Sequence, residues 1–76
     1  MFTGVLGMEE FNLDGKEYIE LNKLLKLTKM VDTGGEANLR IENGEVLVNG
    51  VVETRKRNKL RIGFVVAFSE RTILIQ

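Results

Sequence analysis

The sequence predicts an α+β fold in which two helices pack on a small, mainly antiparallel sheet. Three observations predict it: leucines at helical spacing over residues 20–28, a helix-capping pattern at 33–36, and an Asn-Gly turn between two β-branched runs at 45–53. With 76 residues the chain has room for one domain at most. We expect that domain to span residues 11–76, preceded by an N-terminal arm over residues 1–10, whose apolar side chains show no clean period.

A β-hairpin is the first element that the sequence predicts. Residues 11–13 and 16–19 mix apolar and polar side chains, and Asp14-Gly15 lies between them. Asp-Gly is favoured in two-residue hairpin turns because both positions tolerate a positive φ.

A first helix is predicted over residues 20–28, where the period of the apolar side chains changes. Four leucines fall on one helical face, while the polar residues between them face water. The leucines are Leu21, Leu24, Leu25 and Leu27.

A second helix is predicted over residues 34–43. Thr33 and Glu36 form a capping box, in which the hydroxyl accepts from the Glu36 N–H and the carboxylate accepts from the Thr33 N–H. Ala37 and Ile41 then face the core, and Asn43-Gly44 ends the helix.

Two glycines, Gly34 and Gly35, occupy the first turn of this helix. Each costs roughly 1 kcal/mol relative to alanine in a helix interior, so their presence needs a reason. One explanation is close packing against another helix. The other is close approach of a phosphate, which the N–H groups of a helix N-terminus suit. The sequence leaves both open.

The remaining chain predicts strands. Asn49-Gly50 between β-branched runs is the strongest short-range signal of a hairpin. Residues 54–59 contain no apolar side chain, and two further strands are expected over about 64–68 and 72–75. The predicted order is ββααββββ.

Charge is distributed unevenly along a chain whose net charge is zero. Residues 1–53 carry five Lys/Arg and ten Asp/Glu, whereas residues 54–76 carry six Lys/Arg and one Glu. Five cations lie within seven residues, and on extended backbone all of them except Lys56 would share one side. They are Arg55, Lys56, Arg57, Lys59 and Arg61. Such a cluster suits phosphates, although a charge run can also merely keep a sheet edge soluble.

Several classes of function are disfavoured. The chain contains neither histidine nor cysteine, so the commonest general base and metal ligands are missing. Asp32 and Glu36 fit helix-dipole and capping roles better than catalysis, and the glycine pair lacks the spacing of a phosphate-binding Walker loop. No apolar run approaches the roughly 20 residues of a membrane span. We therefore expect a cytoplasmic protein that is not an enzyme and needs no cofactor or metal.

A family resemblance rests on the spacing A-x3-I-x2-G-x-V-x-V-N-G, which runs from Ala37 to Gly50. It resembles the S-four RNA-binding domain, also called the alpha-L motif, and the match extends over about residues 17–68. Thr-Gly-Gly-x-Ala at 33–37, Val-Leu-Val-Asn at 46–49 and Arg-Lys-Arg-x-Lys at 55–59 are similar to the stand-alone bacterial version, a group of small ribosome-associated proteins.

The resemblance implies that RNA contacts the start of the second helix and the loop after the Asn-Gly hairpin. On this chain those positions are Thr33, Gly34, Gly35, Arg55, Lys56, Arg57 and Lys59. Asn38 lies where the family usually has a cation, and Arg40 lies at a usually apolar position, where it either replaces that charge or is simply exposed. We include Asn38 and Arg61 among the expected RNA-binding residues.

Structured RNA, ribosomal RNA in particular, is the expected ligand, with ribosomal proteins as further partners and the chain itself a monomer. Four of the five aromatic residues, Phe11, Tyr18, Phe64 and Phe68, lie in apolar contexts that predict core positions. Recognition by backbone and shape is therefore expected rather than base stacking. The alternative is a protein-interaction module that docks on a basic partner through its acidic half, which contains Glu9, Glu10, Asp14, Glu17 and Glu20.

Overall fold

Two helices pack on one face of a five-stranded sheet in the computed structural model, which describes residues 8–76. The predicted α+β fold is confirmed. In chain order the elements are β1 (Met8–Phe11), β2 (Ile19–Glu20), α1 (Leu21–Leu27), α2 (Gly34–Glu42), β3 (Val46–Val48), β4 (Val51–Val52), β5 (Lys59–Leu60), β6 (Val65–Phe68) and β7 (Arg71–Ile75).

The large sheet has the strand order β1-β7-β6-β3-β4. Only the β1–β7 pair is parallel, and the other three pairs are antiparallel. The strands β2 and β5 form a separate antiparallel pair, in which Ile19 lies opposite Leu60 and Glu20 lies opposite Lys59. The sequence did not predict β5 or this pairing. It joins the residues just before α1 to Lys59 and Leu60.

The core lies between the helices and the large sheet. Leu21, Leu24 and Leu25 of α1 are fully buried, as predicted, and they pack with buried residues of α2 and the strands. The prediction for Leu27 was wrong, because its side chain is 62% exposed. At about 100° per residue, Leu27 lies more than a quarter turn from the centre of the buried stripe.

The boundaries of α2 follow the predicted capping chemistry with one correction. The Glu36 N–H donates to Thr33 Oγ1 over 3.1 Å, as predicted, but the Glu36 carboxylate accepts from the Asp32 N–H, also at 3.1 Å, and not from Thr33. The carboxylate therefore reaches one residue further back along the chain than in the predicted capping box. At the other end, Asn43 caps α2 and Gly44 has a φ of 79°, which glycine adopts without steric cost.

The hairpin predicted around Asp14-Gly15 was wrong. Both residues have positive φ angles, 59° and 88°, so the turn exists. Its flanking segments pair elsewhere, β1 with β7 and β2 with β5. Isolated two-stranded hairpins are only marginally stable, and a place at the edge of a larger sheet gains more. Residues 8–10, which the sequence assigned to the arm, therefore belong to β1, and the rest of that arm lies outside the described residues.

The Asn49-Gly50 turn confirms the second predicted hairpin. The φ angles of the two residues are 54° and 82°. Asn49 also ties the hairpin to β6, because its Oδ1 accepts from the Val65 N–H at 2.9 Å and its own N–H donates to the Val65 carbonyl at 2.7 Å. This position therefore requires both tolerance of positive φ and an amide oxygen, which Asn supplies.

Candidate functional site

The basic loop, residues 54–58, is fixed to the first turn of α1. The Leu21 N–H donates to the Asn58 carbonyl at 3.0 Å, and the Asn22 N–H donates to the Lys56 carbonyl at 2.9 Å. Glu20, the residue that precedes the helix, makes no side-chain cap. The loop backbone therefore satisfies N–H groups that would otherwise lack a partner, and the helix in turn holds the loop in place.

The loop is a turn and not an extended segment. The Asn58 N–H donates to the Arg55 carbonyl at 3.1 Å, which places Lys56 and Arg57 at the two central positions. The prediction that Arg55, Arg57, Lys59 and Arg61 alternate onto one side was therefore wrong. Such alternation requires a continuous extended backbone. Here the carbonyls of Lys56 and Asn58 accept from the N–H groups of α1, and the backbone between them turns.

Glu53 organises this turn through both carboxylate oxygens. Its Oε2 accepts from the Arg55 backbone N–H at 2.8 Å and from Arg55 Nε at 2.9 Å. Its Oε1 accepts from Arg55 Nη2 and Asn58 Nδ2, each at 3.0 Å. The Arg55 side chain is the main reason that the pKa of Glu53 lies below its usual value of 4.5. This pair therefore stabilises the loop above the usual carboxyl range and loses effect as the pH falls through the lowered pKa.

The five cations predicted to bind RNA do not carry equal free charge. Arg55 is neutralised by Glu53, and Lys56 Nζ lies 3.3 Å from the Glu42 carboxylate. Lys59 and Arg61 have no carboxylate within ion-pair distance in residues 8–76, and Arg57 has none either. Together with Arg55, Asn58 and Lys59, it lines a shallow depression of about 360 Å³. Arg57 is therefore the cation of the loop that is free to meet an external anion.

The start of α2 is open. A Cβ atom added to Gly34 would meet nothing within 4 Å, and one added to Gly35 would meet only Thr33 Oγ1, at 3.9 Å. The explanation that these glycines permit close packing of another helix is therefore wrong. Space therefore remains beside both glycines, where other residues would carry a side chain.

Asn38 links the two parts of the site. Its Oδ1 accepts from Asn22 Nδ2 at 3.2 Å, next to the point where Asn22 holds the loop. Gly34, Asn38 and Glu42 follow one another at intervals of four residues, so they form a strip along one side of α2. This strip ends at the ion pair between Glu42 and Lys56. We call this strip, the neighbouring Gly35 and the basic loop together the helix–loop surface. Its main residues are Gly34, Gly35, Asn38, Glu42, Lys56 and Arg57.

Arg40 lies on the opposite side of α2. Its guanidinium reaches the Glu36 carboxylate at 3.5 Å and the Glu45 carboxylate at 3.3 Å. Two residues correspond to about 200° of helix rotation, so Arg40 points away from Asn38. It therefore does not replace the charge that the family usually has at position 38.

Tyr18 was predicted to lie in the core, and that prediction was wrong. Lys59 Nζ lies 5.0 Å from the centre of its ring, and Arg61 Cζ lies 5.6 Å from it. The pairing of β2 with β5 brings these residues together across about 40 positions of sequence. Phe11, Phe64 and Phe68 do pack against the core. No local signal marked Tyr18, because its surroundings come from a distant strand.

Within residues 8–76, no helix is long and apolar enough to cross a membrane. The same part of the chain contains no group of three or more His, Cys, Asp or Glu side chains arranged to hold a metal ion.

Comparison with known proteins defines the family. The model of the S4 domain matches residues 11–76, and the chain belongs to that family. It is similar to the "Putative RNA-binding protein YbcJ" of Escherichia coli (strain K12), with 38% identity over 68 residues that cover 90% of this chain and 97% of YbcJ. The "Uncharacterized protein YbcJ" of Shigella flexneri matches equally well.

A solved structure supports the same assignment. The solution structure of YbcJ from E. coli, described as revealing an alfaL motif involved in RNA-binding, superposes with a TM-score of 0.69 at 38% identity. The match covers 90% of this chain and 86% of that chain. The fold is therefore that of the alpha-L motif, and the resemblance stated from the sequence is confirmed.

Proposed function

We propose that this protein binds structured RNA through the helix–loop surface. The observation that carries the proposal is the guanidinium of Arg57, which has no acidic partner in residues 8–76. A fixed turn presents it at one end of the strip on α2 whose other end is the open helix start. Arginine suits phosphate because its planar fork can donate two parallel hydrogen bonds. The S4 family, and a relative described as RNA-binding, support the same ligand.

The two halves of the surface would contact the phosphate backbone in different ways. The N–H groups at the start of α2 supply the positive end of the helix dipole, and both glycines leave room for a phosphate to approach. The loop supplies the charge of the exposed Arg57 side chain from a backbone that is hydrogen-bonded to α1. Thr33, whose hydroxyl already caps α2, would fix the helix start instead of contacting RNA.

We propose further that the RNA is ribosomal RNA or a precursor in ribosome assembly, bound in the cytoplasm without chemical change. The resemblance to the stand-alone, ribosome-associated group supports this. Crosslinking in intact cells, followed by sequencing of the recovered RNA, tests it directly. Enrichment of a structured ribosomal segment is expected, and recovery dominated by other RNAs would reject the ribosomal assignment while leaving RNA binding intact.

The Arg57→Ala substitution should weaken RNA binding roughly tenfold, the loss expected for one charge-assisted contact. Removing one phosphate contact should also flatten the log–log dependence of affinity on salt by roughly 0.7 to 0.9. Titration of a hairpin RNA at several salt concentrations measures both quantities.

The matched control for Arg57→Ala is Lys29→Asn, which removes one exposed positive charge from the side of the molecule that carries Arg40. Lys29 has a φ of 62°, and asparagine tolerates that conformation. The control should keep nearly wild-type affinity. Equal losses in the two variants would mean that total charge, and not the helix–loop surface, governs binding.

The Glu42→Gln substitution should strengthen RNA binding about two- to fivefold. It releases Lys56 from its 3.3 Å ion pair and removes a negative charge from the helix–loop surface. The pair is solvent-exposed, so the free energy of unfolding should change by no more than about 1 kcal/mol. Glu45→Gln is the control, since Glu45 pairs with Arg40 on the opposite side of α2. Weaker binding by Glu42→Gln would show that the ion pair positions Lys56 for RNA.

The acidic half remains the second candidate surface, for a basic protein partner. Two of its carboxylates are already paired within the described residues, Glu9 with Arg71 and Glu20 with Lys23. This leaves less free negative charge than the sequence suggested. Capture of ribosomal proteins that survives RNase treatment would favour a protein-interaction module over RNA binding.

A further inference from the structure

We propose that the groove beside Tyr18 holds one unpaired base of the bound RNA, stacked on the Tyr18 ring, with the adjoining phosphates on Lys59 and Arg61. This inference rests on the proposed RNA-binding function. It adds a site for an unpaired nucleotide next to an RNA helix. The backbone contacts proposed at the helix–loop surface do not recognise such a nucleotide.

The groove has the size and lining that a base requires. It encloses about 660 Å³ between the segment that leads from β1 to β2 and the outer side of α1. Volumes of roughly 300 to 1,000 Å³ are usual for small-molecule sites. Leu13, Tyr18, Ile19 and Leu27 supply apolar surface. The Leu27 side chain, which is 62% exposed and lies outside the core, forms one wall of the groove.

Tyr18 borders both this groove and two cations. Its half-buried side chain lines the groove, whereas neither Lys59 nor Arg61 does. Both cations nevertheless lie within about 6 Å of the ring centre, the range of cation–π contact. A nucleotide fits this arrangement of groove, ring and cations, because its base can stack on an aromatic ring while its phosphate meets neighbouring cations.

The charges around the groove indicate which part of a nucleotide enters it. Three carboxylates line the groove, those of Asp14, Glu17 and Glu20, against the two ammonium groups of Lys16 and Lys23, so the net charge of the lining is negative and disfavours a phosphate. A base is neutral, and the amino and imino groups on its edge can donate hydrogen bonds to carboxylates. The Lys23 ammonium is itself paired with the Glu20 carboxylate at 3.9 Å, so part of the positive charge in the lining is already taken up. The groove therefore favours a base over a second phosphate.

A short stretch of chain links the groove to the helix–loop surface. Lys59 follows Arg57 by two residues, and the β2–β5 pair sets Lys59 opposite Glu20, immediately before α1. RNA whose helical part lies on Arg57 therefore needs to extend by only a short single strand to reach Tyr18.

A pair of RNA probes tests the inference: a hairpin with an unpaired single-stranded extension and the same hairpin without it. Tyr18→Leu keeps an apolar side chain but removes the ring, and Tyr18→Phe keeps the ring but removes the hydroxyl. We expect Tyr18→Leu to lose roughly 5- to 150-fold in affinity for the extended hairpin, the range for stacking of one base. It should bind the unextended hairpin as the wild type does, and Tyr18→Phe should bind both probes normally.

Fluorescence gives an independent readout. The chain has one tyrosine and no tryptophan, so its intrinsic emission reports on Tyr18. A base stacked on the ring should quench this emission with the extended hairpin and not with the unextended one. Circular dichroism and thermal melting of each variant establish that it is folded.

The outcomes separate the two proposals. Equal affinity of the wild type and Tyr18→Leu for the extended hairpin, or emission unchanged on its binding, overturns the base site while RNA binding stands. The same loss on both probes also overturns it, because that loss would come from the surface around Tyr18 and not from a stacked base. Binding of neither probe by the wild type overturns the proposed function and this inference with it.

Discussion

Replacing Gly35 with glutamate is expected to weaken RNA binding by roughly 10- to 100-fold while making the protein more stable. The carboxylate would occupy the open space at the start of α2, where a phosphate is proposed to approach, and like charges at an interface cost several kcal/mol. Stability should rise because glutamate is a better helix former than glycine, by up to about 1 kcal/mol. A negative charge in the first turn adds roughly 0.3 to 1 kcal/mol.

Gly35→Ala separates the effect of charge from the effect of helix propensity. The added Cβ would meet only Thr33 Oγ1, at an ordinary contact distance of 3.9 Å. Alanine should therefore raise the melting temperature similarly and leave affinity close to that of the wild type. Thermal denaturation and RNA titration on the three proteins measure this. A fall in melting temperature for Gly35→Glu, with affinity unchanged, would contradict both the open helix start and its contact with phosphate.

The Leu24→Ala substitution is expected to have the largest effect on stability, a loss of roughly 2–5 kcal/mol. Leu24 is fully buried among α1, α2 and the sheet, so truncation leaves a cavity in the only core within the described residues. For a domain of this size, each kcal/mol corresponds to roughly 4–8 °C, so the melting temperature should fall by at least about 8 °C. Domains this small have little stability in reserve, so a measurable fraction of the variant is expected to be unfolded at 37 °C.

Leu27→Ala is the matched control, with the same chemical change three residues later in the same helix. Because Leu27 is largely exposed, its truncation should change the free energy of unfolding by no more than about 0.5 kcal/mol. Urea denaturation of both variants compares them under one condition. Similar losses would mean that α1 is buried around its whole circumference and that the amphipathic arrangement is incorrect.

Local patterns were sufficient to predict both helices, the Asn49-Gly50 hairpin and the family. Each depends on chemistry within a few residues: leucine spacing for α1, a Thr hydroxyl and a Glu N–H for α2, and tolerance of positive φ for the turn. Even the error at Asp14-Gly15 was partial, because the turn formed as its residues require.

The elements that the sequence did not reveal all depend on distant partners. Residues from β1 pair with β7 across more than 60 positions, which no local period signals. Lys56 is neutralised by Glu42, which belongs to α2, and Tyr18 meets its two cations through the pairing of β2 with β5. A charge count treats the basic residues as equivalent, whereas folding leaves Arg57 without an acidic neighbour in the described chain.

The way in which the loop is attached to α1 bears on how such a surface can diversify. Its two anchoring acceptors are main-chain carbonyls, those of Lys56 and Asn58, and every amino acid possesses one. Side chains at 56 and 57 can therefore be exchanged during evolution without disturbing the attachment. Related proteins can therefore vary the exposed side chains of this loop while inheriting the same scaffold unchanged.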